Sequence, residues 1–349
     1  MTAVCLFVWN NNNMLLRNVV VNYLHNIRSL PVIQYRNDNL SYRDIKVFDV
    51  GAKNTNDENN KKRENIIGSI IANAANAANA ANAANAVHNP MNQYYRFSRR
   101  WNSIKEAVFN YLTNELNIHH HAKIQFIHRG GRKNNYDFEI HSERSGSGEL
   151  DKYCIELKFN VDDVNQAPQF VSPYNPSKYM TASYEEYFYD NYLPLLASSR
   201  DDLVIPDKRT YIQEINSTTP NSMKRYQATY YNGCKASRSK YTGDSRDIEF
   251  YTLANKLSAE SILAFIARTE LNIDILNEYL SNSQKNKIYM LYKNGKFHKQ
   301  MIEANKYKIK SYTKYKNTFI AKTHEGKDMK ILLRWKNGNG IAFPAFQIS

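Results

Sequence analysis

Two short runs of alternating apolar and polar residues lie close together in the chain, and they limit its fold more than any other stretch. In residues 136–141, Tyr, Phe and Ile alternate with Asp, Glu and His, and the same alternation runs through residues 153–160. A period of two predicts two β-strands, each with one apolar and one polar face. The residues between the runs are rich in Gly, Ser and charge, so we expect a loop to join the strands.

The polar faces of these two strands carry two acids and a lysine. If both apolar faces lie on the core, Asp137 of the first strand can sit beside Glu156 and Lys158 of the second. Two carboxylates suit Mg²⁺, which prefers hard oxygen ligands, and the carbonyl of Leu157 can add a neutral oxygen. The lysine can orient an attacking water or stabilise developing charge. The pattern therefore fits metal-assisted cleavage of a phosphodiester bond, and an ordinary amphipathic hairpin with a solvated polar face is the alternative.

An Asp on one strand with Glu-x-Lys on the next resembles the signature of the PD-(D/E)XK nuclease superfamily. Asp137 and the triplet at 156–158 match it, and Asn135-Tyr136 stands where the family often has Pro. Four further segments look like nuclease-like proteins of large DNA viruses: YDFEI (136–140), IELKFN (155–160), PQF (168–170) and YEEYFYDNYL (184–193). This wider resemblance covers roughly residues 95–200.

The resemblance implies a restriction-endonuclease-like α/β core, in which helices flank a central mixed β-sheet. It implies that Asp137 and Glu156 bind Mg²⁺ together with the carbonyl of Leu157, that Mn²⁺ can substitute, and that Lys158 assists the attacking water. Many members of the family also place a Gln on the element after the lysine strand. Gln169 is our candidate for that role.

A helix before the strands often donates a further Glu to the metal in this superfamily. Apolar residues at helical spacing predict a helix over residues 101–116. Glu106 fits the family-like order, with apolar residues three and six positions later, and is our candidate metal ligand. Glu115 lies on the apolar stripe and is the rival, while a solvated helix glutamate would explain either residue.

Positive charge is concentrated near the end of the sequence. The net charge is +14, and residues 285–349 contain fifteen Lys and Arg against three acids. A basic segment suits a polyanion, and the resemblance favours DNA, double-stranded, as the partner. A solvated lysine-rich surface is the alternative. The candidate phosphate contacts are basic residues in two other segments: Arg129, Arg132, Lys133, Lys224 and Arg225.

Composition predicts three regions. Residues 1–90 form an N-terminal appendage that ends in an Asn/Ala repeat linker at 73–86, residues 91–284 form the nuclease core, and residues 285–349 form a basic, β-rich C-terminal module. Residues 54–63 are polar and predict a loop. In the C-terminal module, Asn294-Gly295 predicts the type I′ turn of a hairpin.

Other features limit the compartment and the partners. No apolar run reaches the length of about eighteen residues that a membrane span needs, and the first residues lack the basic region of a secretory signal. Three widely separated cysteines give neither a disulfide framework nor a zinc spacing. We expect a soluble intracellular protein without a membrane partner, and consider a homodimer. The cytoplasm of a virus-infected host cell and the virion are candidate locations.

The leading hypothesis is a Mg²⁺-dependent DNA endonuclease of restriction type, a phosphodiesterase. A repair or recombination nuclease of the same fold comes next. The alternative from another class is a non-enzymatic nucleic-acid-binding or virion structural protein. In a nuclease, Asp137 and Glu156 converge with Lys158 beside them, whereas in a binding protein they splay into solvent or form ion pairs.

Overall fold

A computed structural model of the chain describes residues 20–28, 40, 42–51, 56–72, 91–130, 134–144, 148–166, 173–218, 223–336 and 338–349. The expected α/β class is confirmed. The chain divides into two compact units, Met1–Ala167 with Asn286–Ile302, and Pro168–Lys285 with Glu303–Ser349. The Asn/Ala repeat at 73–86 lies outside the described residues.

The α-helices of the described residues are α1 (Asn56–Ala72), α2 (Met91–Asn110), α3 (Tyr184–Asn191), α4 (Leu193–Ala197), α5 (Lys208–Asn216), α6 (Gln227–Gly233), α7 (Ser245–Arg268) and α8 (Ile273–Gln284). The strands are β1 (Val20–Tyr23), β2 (Lys123–His128), β3 (Phe138–Glu143), β4 (Leu150–Phe159), β5 (Lys287–Lys293), β6 (Lys296–Gln300), β7 (Ile309–Tyr315), β8 (Thr318–Thr323), β9 (Asp328–Trp335) and β10 (Pro344–Ile348).

The first unit is built on a six-stranded mixed sheet in the order β1-β2-β3-β4-β5-β6. All neighbours are antiparallel except β4 and β5, which run parallel. The predicted central hairpin is confirmed, since Phe138 of β3 pairs with Ile155 of β4. The apolar face of this hairpin belongs to the core of the unit, whereas the face that carries Glu156 is turned away from that core.

Helix α2 packs on this core through the apolar stripe that the sequence predicts. Trp101, Ile104 and Val108 are all buried, and Leu112 continues the stripe in the π-helix Tyr111–Glu115 that follows. These positions recur every three or four residues, so they fall on one side of the helix.

Helix α1 corrects the prediction of a loop over residues 54–63. Its first half is polar, but the second half buries four isoleucines against the core: Ile66, Ile67, Ile70 and Ile71. Arg63 holds the first half in place, because its guanidinium donates to the carbonyls of Val47 at 2.8 Å and Val50 at 2.5 Å. Those carbonyls are at the end of the 3₁₀ helix Tyr42–Asp49, whose last groups lack partners within the helix.

The division into units also differs from the three regions expected from the sequence. Strands β5 and β6, predicted as part of a C-terminal module, belong to the sheet of the first unit, and α1 belongs to its core rather than to an appendage. The hairpin itself is confirmed. Asn294 and Gly295 have φ of 51° and 83°, and a type I′ turn requires positive φ at both positions.

The second unit combines helices α3–α8 with a four-stranded antiparallel sheet in the order β10-β9-β8-β7. Trp335 of β9 donates its indole N–H to the hydroxyl of Tyr184 at 2.9 Å, which ties the sheet to α3. Gly340 has a φ of 77°, and a Cβ there would lie 2.2 Å from the ring of Phe188, so a side chain is excluded. Among the described residues, no helix is long and apolar enough to cross a membrane.

Candidate active site

Asp137 lies where the β3–β4 hairpin opens, one residue before β3 begins. Its main-chain N–H donates to the carbonyl of Ile155 at 2.8 Å, which extends the ladder. Its Oδ2 accepts the main-chain N–H of Leu157, also at 2.8 Å. The side chain is therefore fixed to the neighbouring strand next to Glu156, as the sequence predicts.

Glu156 holds a lysine at each of its two oxygens. The Nζ of Lys158 is 2.7 Å from Oε1, and the Nζ of Lys287 is 3.5 Å from Oε2. Lys287 comes from β5, where it pairs with Cys154, two residues before Glu156 on β4. Only 4% of the Lys287 side chain is exposed, so its charge is available to this cluster and hardly to solvent.

A third carboxylate, that of Glu64 in α1, influences the protonation of Asp137. Its Oε1 forms a hydrogen bond with Nε2 of His128, at the end of β2. Gly130 leaves room for this contact, since a Cβ there would lie 2.8 Å from the Glu64 Oε1. The charge of Glu64 is felt at Asp137, whose pKa it raises. Glu64 therefore acts on Asp137 from α1 through its charge.

Burial and like charge set the protonation of the two strand carboxylates. Burial, then Glu156 and Glu64, hold the pKa of Asp137 well above its usual range, although the Leu157 N–H and Lys158 act against them. Burial also disfavours the charged form of Glu156, but Lys158 and Lys287 outweigh it and hold the pKa of Glu156 below its usual value. Asp137 is thus biased toward its neutral form, and Glu156 is biased toward its anion.

The pKa values of the two lysines are shifted in opposite directions, although burial opposes the charge of both. Burial lowers the pKa of Lys287, only partly offset by Glu156. Burial also acts against the charge of Lys158, but its hydrogen bond and attraction to Glu156 raise the pKa of Lys158 above its usual value. Lys158 therefore stays an ammonium group beside the carboxylates.

The carbonyl of Leu157 lies on the same side of β4 as the Asp137 carboxylate. The β3–β4 ladder ends at the Phe138–Ile155 pair, two residues before Leu157. In a strand, the N–H and C=O of one residue point to the same side, and the Leu157 N–H points at Asp137. This carbonyl can therefore supply the neutral oxygen expected from the sequence.

The helix carboxylates chosen from the sequence lie elsewhere. Glu106 is half-exposed and pairs with Arg28 at 2.7 Å, while Glu115 accepts the main-chain N–H of Lys299 at 3.3 Å. Glu64 is the helix acid that acts on Asp137. The sequence missed it because the half of α1 around it has no apolar periodicity.

The remaining predicted residues have different positions. Gln169, Arg132 and Lys133 lie outside the described residues. Lys224 is 5% exposed, with its ammonium 5.4 Å from the centre of the Phe343 ring, so little of it is available to a phosphate backbone. Arg225 pairs with Glu214 at 3.3 Å on the surface of the second unit.

Arg129 belongs to a cluster on β3 and β4 around a buried carboxylate, Glu139. Glu139 accepts hydrogen bonds from Arg129 Nε at 2.9 Å and from the Tyr136 hydroxyl at 2.8 Å, and it contacts Nε2 of His141 at 2.6 Å. The Nζ of Lys152 lies 3.3 Å away. Burial opposes the charge of Glu139, but these four partners lower its pKa to about 2.

Within the described part of the chain, no three His, Cys, Asp or Glu side chains are grouped closely enough to hold a metal ion. A cation at this site would therefore rely on the two strand carboxylates and on neutral oxygens. No protein-family model matches the chain, and no curated protein or solved structure matches it. The argument for function consequently rests on the geometry and charge of the site.

Proposed function

We propose that the protein is a Mg²⁺-dependent nuclease of the PD-(D/E)XK type that hydrolyses phosphodiester bonds of DNA. One observation carries the proposal: Asp137, Glu156 and Lys158 meet where a hairpin opens, with Glu64 acting on Asp137 from a helix. The mixed sheet with helices on its core face is compatible with a restriction-endonuclease-like fold, which is part of the proposal.

The donor set fits Mg²⁺. This ion usually takes one or two carboxylates and keeps several waters, so two acids and the Leu157 carbonyl suffice. Burial, Glu156 and Glu64 raise the pKa of Asp137, and a divalent cation would relieve the repulsion among these acids. When bound, Mg²⁺ would neutralise charge on the phosphate and lower the pKa of a water.

The side chains of the site take separate roles in this proposal. Asp137 and Glu156 would hold the cation, and Asp137 would have to be deprotonated to serve as a ligand. Lys158, fixed at 2.7 Å from Glu156, orients the attacking water or stabilises negative charge that develops on the phosphate. Glu64, fixed by His128, adds negative charge beside Asp137.

One observation favours the second candidate, a nucleic-acid-binding protein without catalysis. Both oxygens of Glu156 contact lysines, which is the arrangement of a structural ion-pair cluster. Such a cluster, however, has no need of Asp137 and Glu64, whose carboxylates add repulsion to a largely buried group. Repulsion among neighbouring buried acids destabilises the fold, so its presence here favours a functional site over a purely structural cluster.

The test is cleavage of supercoiled plasmid and of linear DNA by the full chain, with Mg²⁺, with Mn²⁺ and with EDTA. We expect nicking or linearisation that requires the metal. The matched control is Glu156→Gln purified in the same way, because a contaminating nuclease would appear in both preparations. A folded wild-type protein that cleaves neither DNA nor RNA with either metal would support the binding protein instead.

A further inference from the structure

The cluster around Glu139 places an anion beneath two cations. The side chain of Glu139 is 2% exposed, whereas those of Arg129 and Lys152 are 38% and 52% exposed. Two cations face one carboxylate, so the cluster keeps a positive charge. Because the buried anion holds both cations in fixed positions, an incoming anion meets groups whose side-chain entropy is already reduced.

Arg129 has donors left for a second anion. Its Nε and Nη2 bind the two oxygens of Glu139, at 2.9 and 3.3 Å. Among the described residues, none accepts a hydrogen bond from Nη1. A guanidinium carries five N–H donors in a rigid fork, so a phosphate can bind its other edge in bidentate fashion. The ammonium of Lys152, which makes one contact with Glu139, can face the same phosphate.

The cluster adjoins the candidate active site. Glu139 is two residues from Asp137 on one strand, and its partner Cys154 is two residues from Glu156 on the next. Two residues of extended chain span about 7 Å. This distance resembles the spacing of neighbouring phosphates on one strand of nucleic acid.

We propose that Arg129 and Lys152, held in position by Glu139, bind a DNA backbone phosphate next to the phosphate that is cleaved. The inference deepens the proposed function and rests on it for the identity of the ligand. Phosphate contacts position a nucleic acid without reading its sequence, so the cluster fixes register and not sequence preference.

The test measures binding of a short fluorescein-labelled DNA duplex to the full chain by anisotropy, in EDTA so that nothing is cleaved, over a range of salt concentrations. Lys152→Ala should weaken binding about tenfold and reduce the salt slope by about one, because one phosphate contact is lost. Arg129→Lys should also weaken binding but leave the slope unchanged, since the charge stays and only the fork is lost.

Arg144→Ala is the matched control. Arg144 lies just after β3 and is half-exposed, but two acids, Glu149 and Asp151, already pair with it at 3.1 and 2.5 Å. The Arg144→Ala variant should bind DNA with the affinity and salt slope of the wild type. Circular dichroism and thermal melting establish that each variant is folded.

The binding and cleavage results separate the two ideas. If the wild type cleaves DNA while both cluster variants bind as it does, the phosphate site is wrong and the nuclease remains. If the cluster variants lose DNA binding as described but the wild type cleaves no DNA with any metal, the phosphate site is supported and the proposal of a nuclease is rejected. A wild type that binds no DNA, or an equal loss in Arg144→Ala, overturns the phosphate site.

Discussion

The main-chain N–H of Leu157 donates to Oδ2 of Asp137 at 2.8 Å. The acid on one strand is thereby held by the backbone of the strand that carries Glu156 and Lys158. The Asp137 carboxylate is therefore positioned by a backbone contact, whereas that of Glu156 is held by Lys158 and Lys287. A single substitution can therefore change the charge at one position and leave the arrangement intact.

Asp137→Asn and Glu156→Gln should weaken Mg²⁺ binding and cleavage together. Asn keeps an oxygen that can accept the Leu157 N–H, so the fold should persist while a negative charge is lost. Lys158→Ala should retain or strengthen Mg²⁺ binding, because a cation beside Glu156 is removed, and cleavage should fall about 10²–10³-fold. Metal titration calorimetry and plasmid cleavage measure both effects. Wild-type cleavage by Lys158→Ala would exclude this lysine from the mechanism.

Glu64→Gln should reduce cleavage, while Glu106→Gln should not. Both substitutions remove one helix carboxylate, but only Glu64 acts on Asp137, and Glu106 pairs with Arg28 on the surface. Rates measured at saturating Mg²⁺ and at low Mg²⁺ would show whether the loss is in metal affinity. Equal activity of the two variants would remove Glu64 from the site.

Gly130→Ala should lower cleavage although no charged group is removed. The new Cβ would lie 2.8 Å from the Glu64 Oε1 and 3.0 Å from the His128 Nε2, so this pair would have to shift, and the end of the Glu64 side chain can move more easily than backbone. Gly51→Ala is the control, because a Cβ there meets nothing within 4 Å. The melting temperature should change little in either variant. Retained activity in Gly130→Ala would mean that the position of Glu64 does not matter.

Metal binding should release a proton and weaken as the pH falls. Burial and two neighbouring acids raise the pKa of Asp137, so its proton is still bound at pH values where an ordinary Asp is ionised. Lowering the pH through this raised pKa makes Mg²⁺ compete with the proton. Calorimetry in buffers of different ionisation enthalpy counts the released protons. The count should drop in Asp137→Asn, and an unchanged count would assign the proton to another group.

Glu185 should make the second unit less stable above neutral pH. The side chain is 1% exposed, and burial raises the pKa of Glu185 to about 7. Its folded-state pKa exceeds the unfolded one, so stability is full below about pH 4.5 and is lost as pH rises to about 7, by about 3 kcal/mol. Glu185→Gln should melt higher than the wild type above pH 7. The exposed neighbour provides the control: Glu186 is the smallest of the influences on the pKa of Glu185, so Glu186→Gln should keep most of the wild-type pH dependence.

The parts of the structure that could be predicted are those with a local period. Alternation gave the hairpin and placed Asp137 beside Glu156, and helical spacing predicted the buried stripe of α2. Asn294-Gly295 predicted its hairpin because few residues accept positive φ. Each of these signals depends on neighbours within a few residues.

The missed residues are brought to the site by tertiary structure. Glu64 lies in the polar half of α1, whose isoleucines begin only at Ile66, so no apolar stripe marks its helix there. Lys287 reaches Glu156 through a parallel strand pair between distant parts of the chain. Glu106 lies on a helix that the sequence predicts, but helical spacing does not say which helix faces the open end of the hairpin.

The parallel pairing of β4 with β5 has a consequence for the order of synthesis. The chain between these two strands contains the first segment of the second unit, Pro168–Lys285. During translation, Asp137, Glu156 and Lys158 therefore emerge from the ribosome long before Lys287 and strand β5, which pairs with the edge of β4. Until then the nascent polypeptide exposes an unpaired strand edge and lacks one counter-ion of Glu156, so the centre is assembled late in translation.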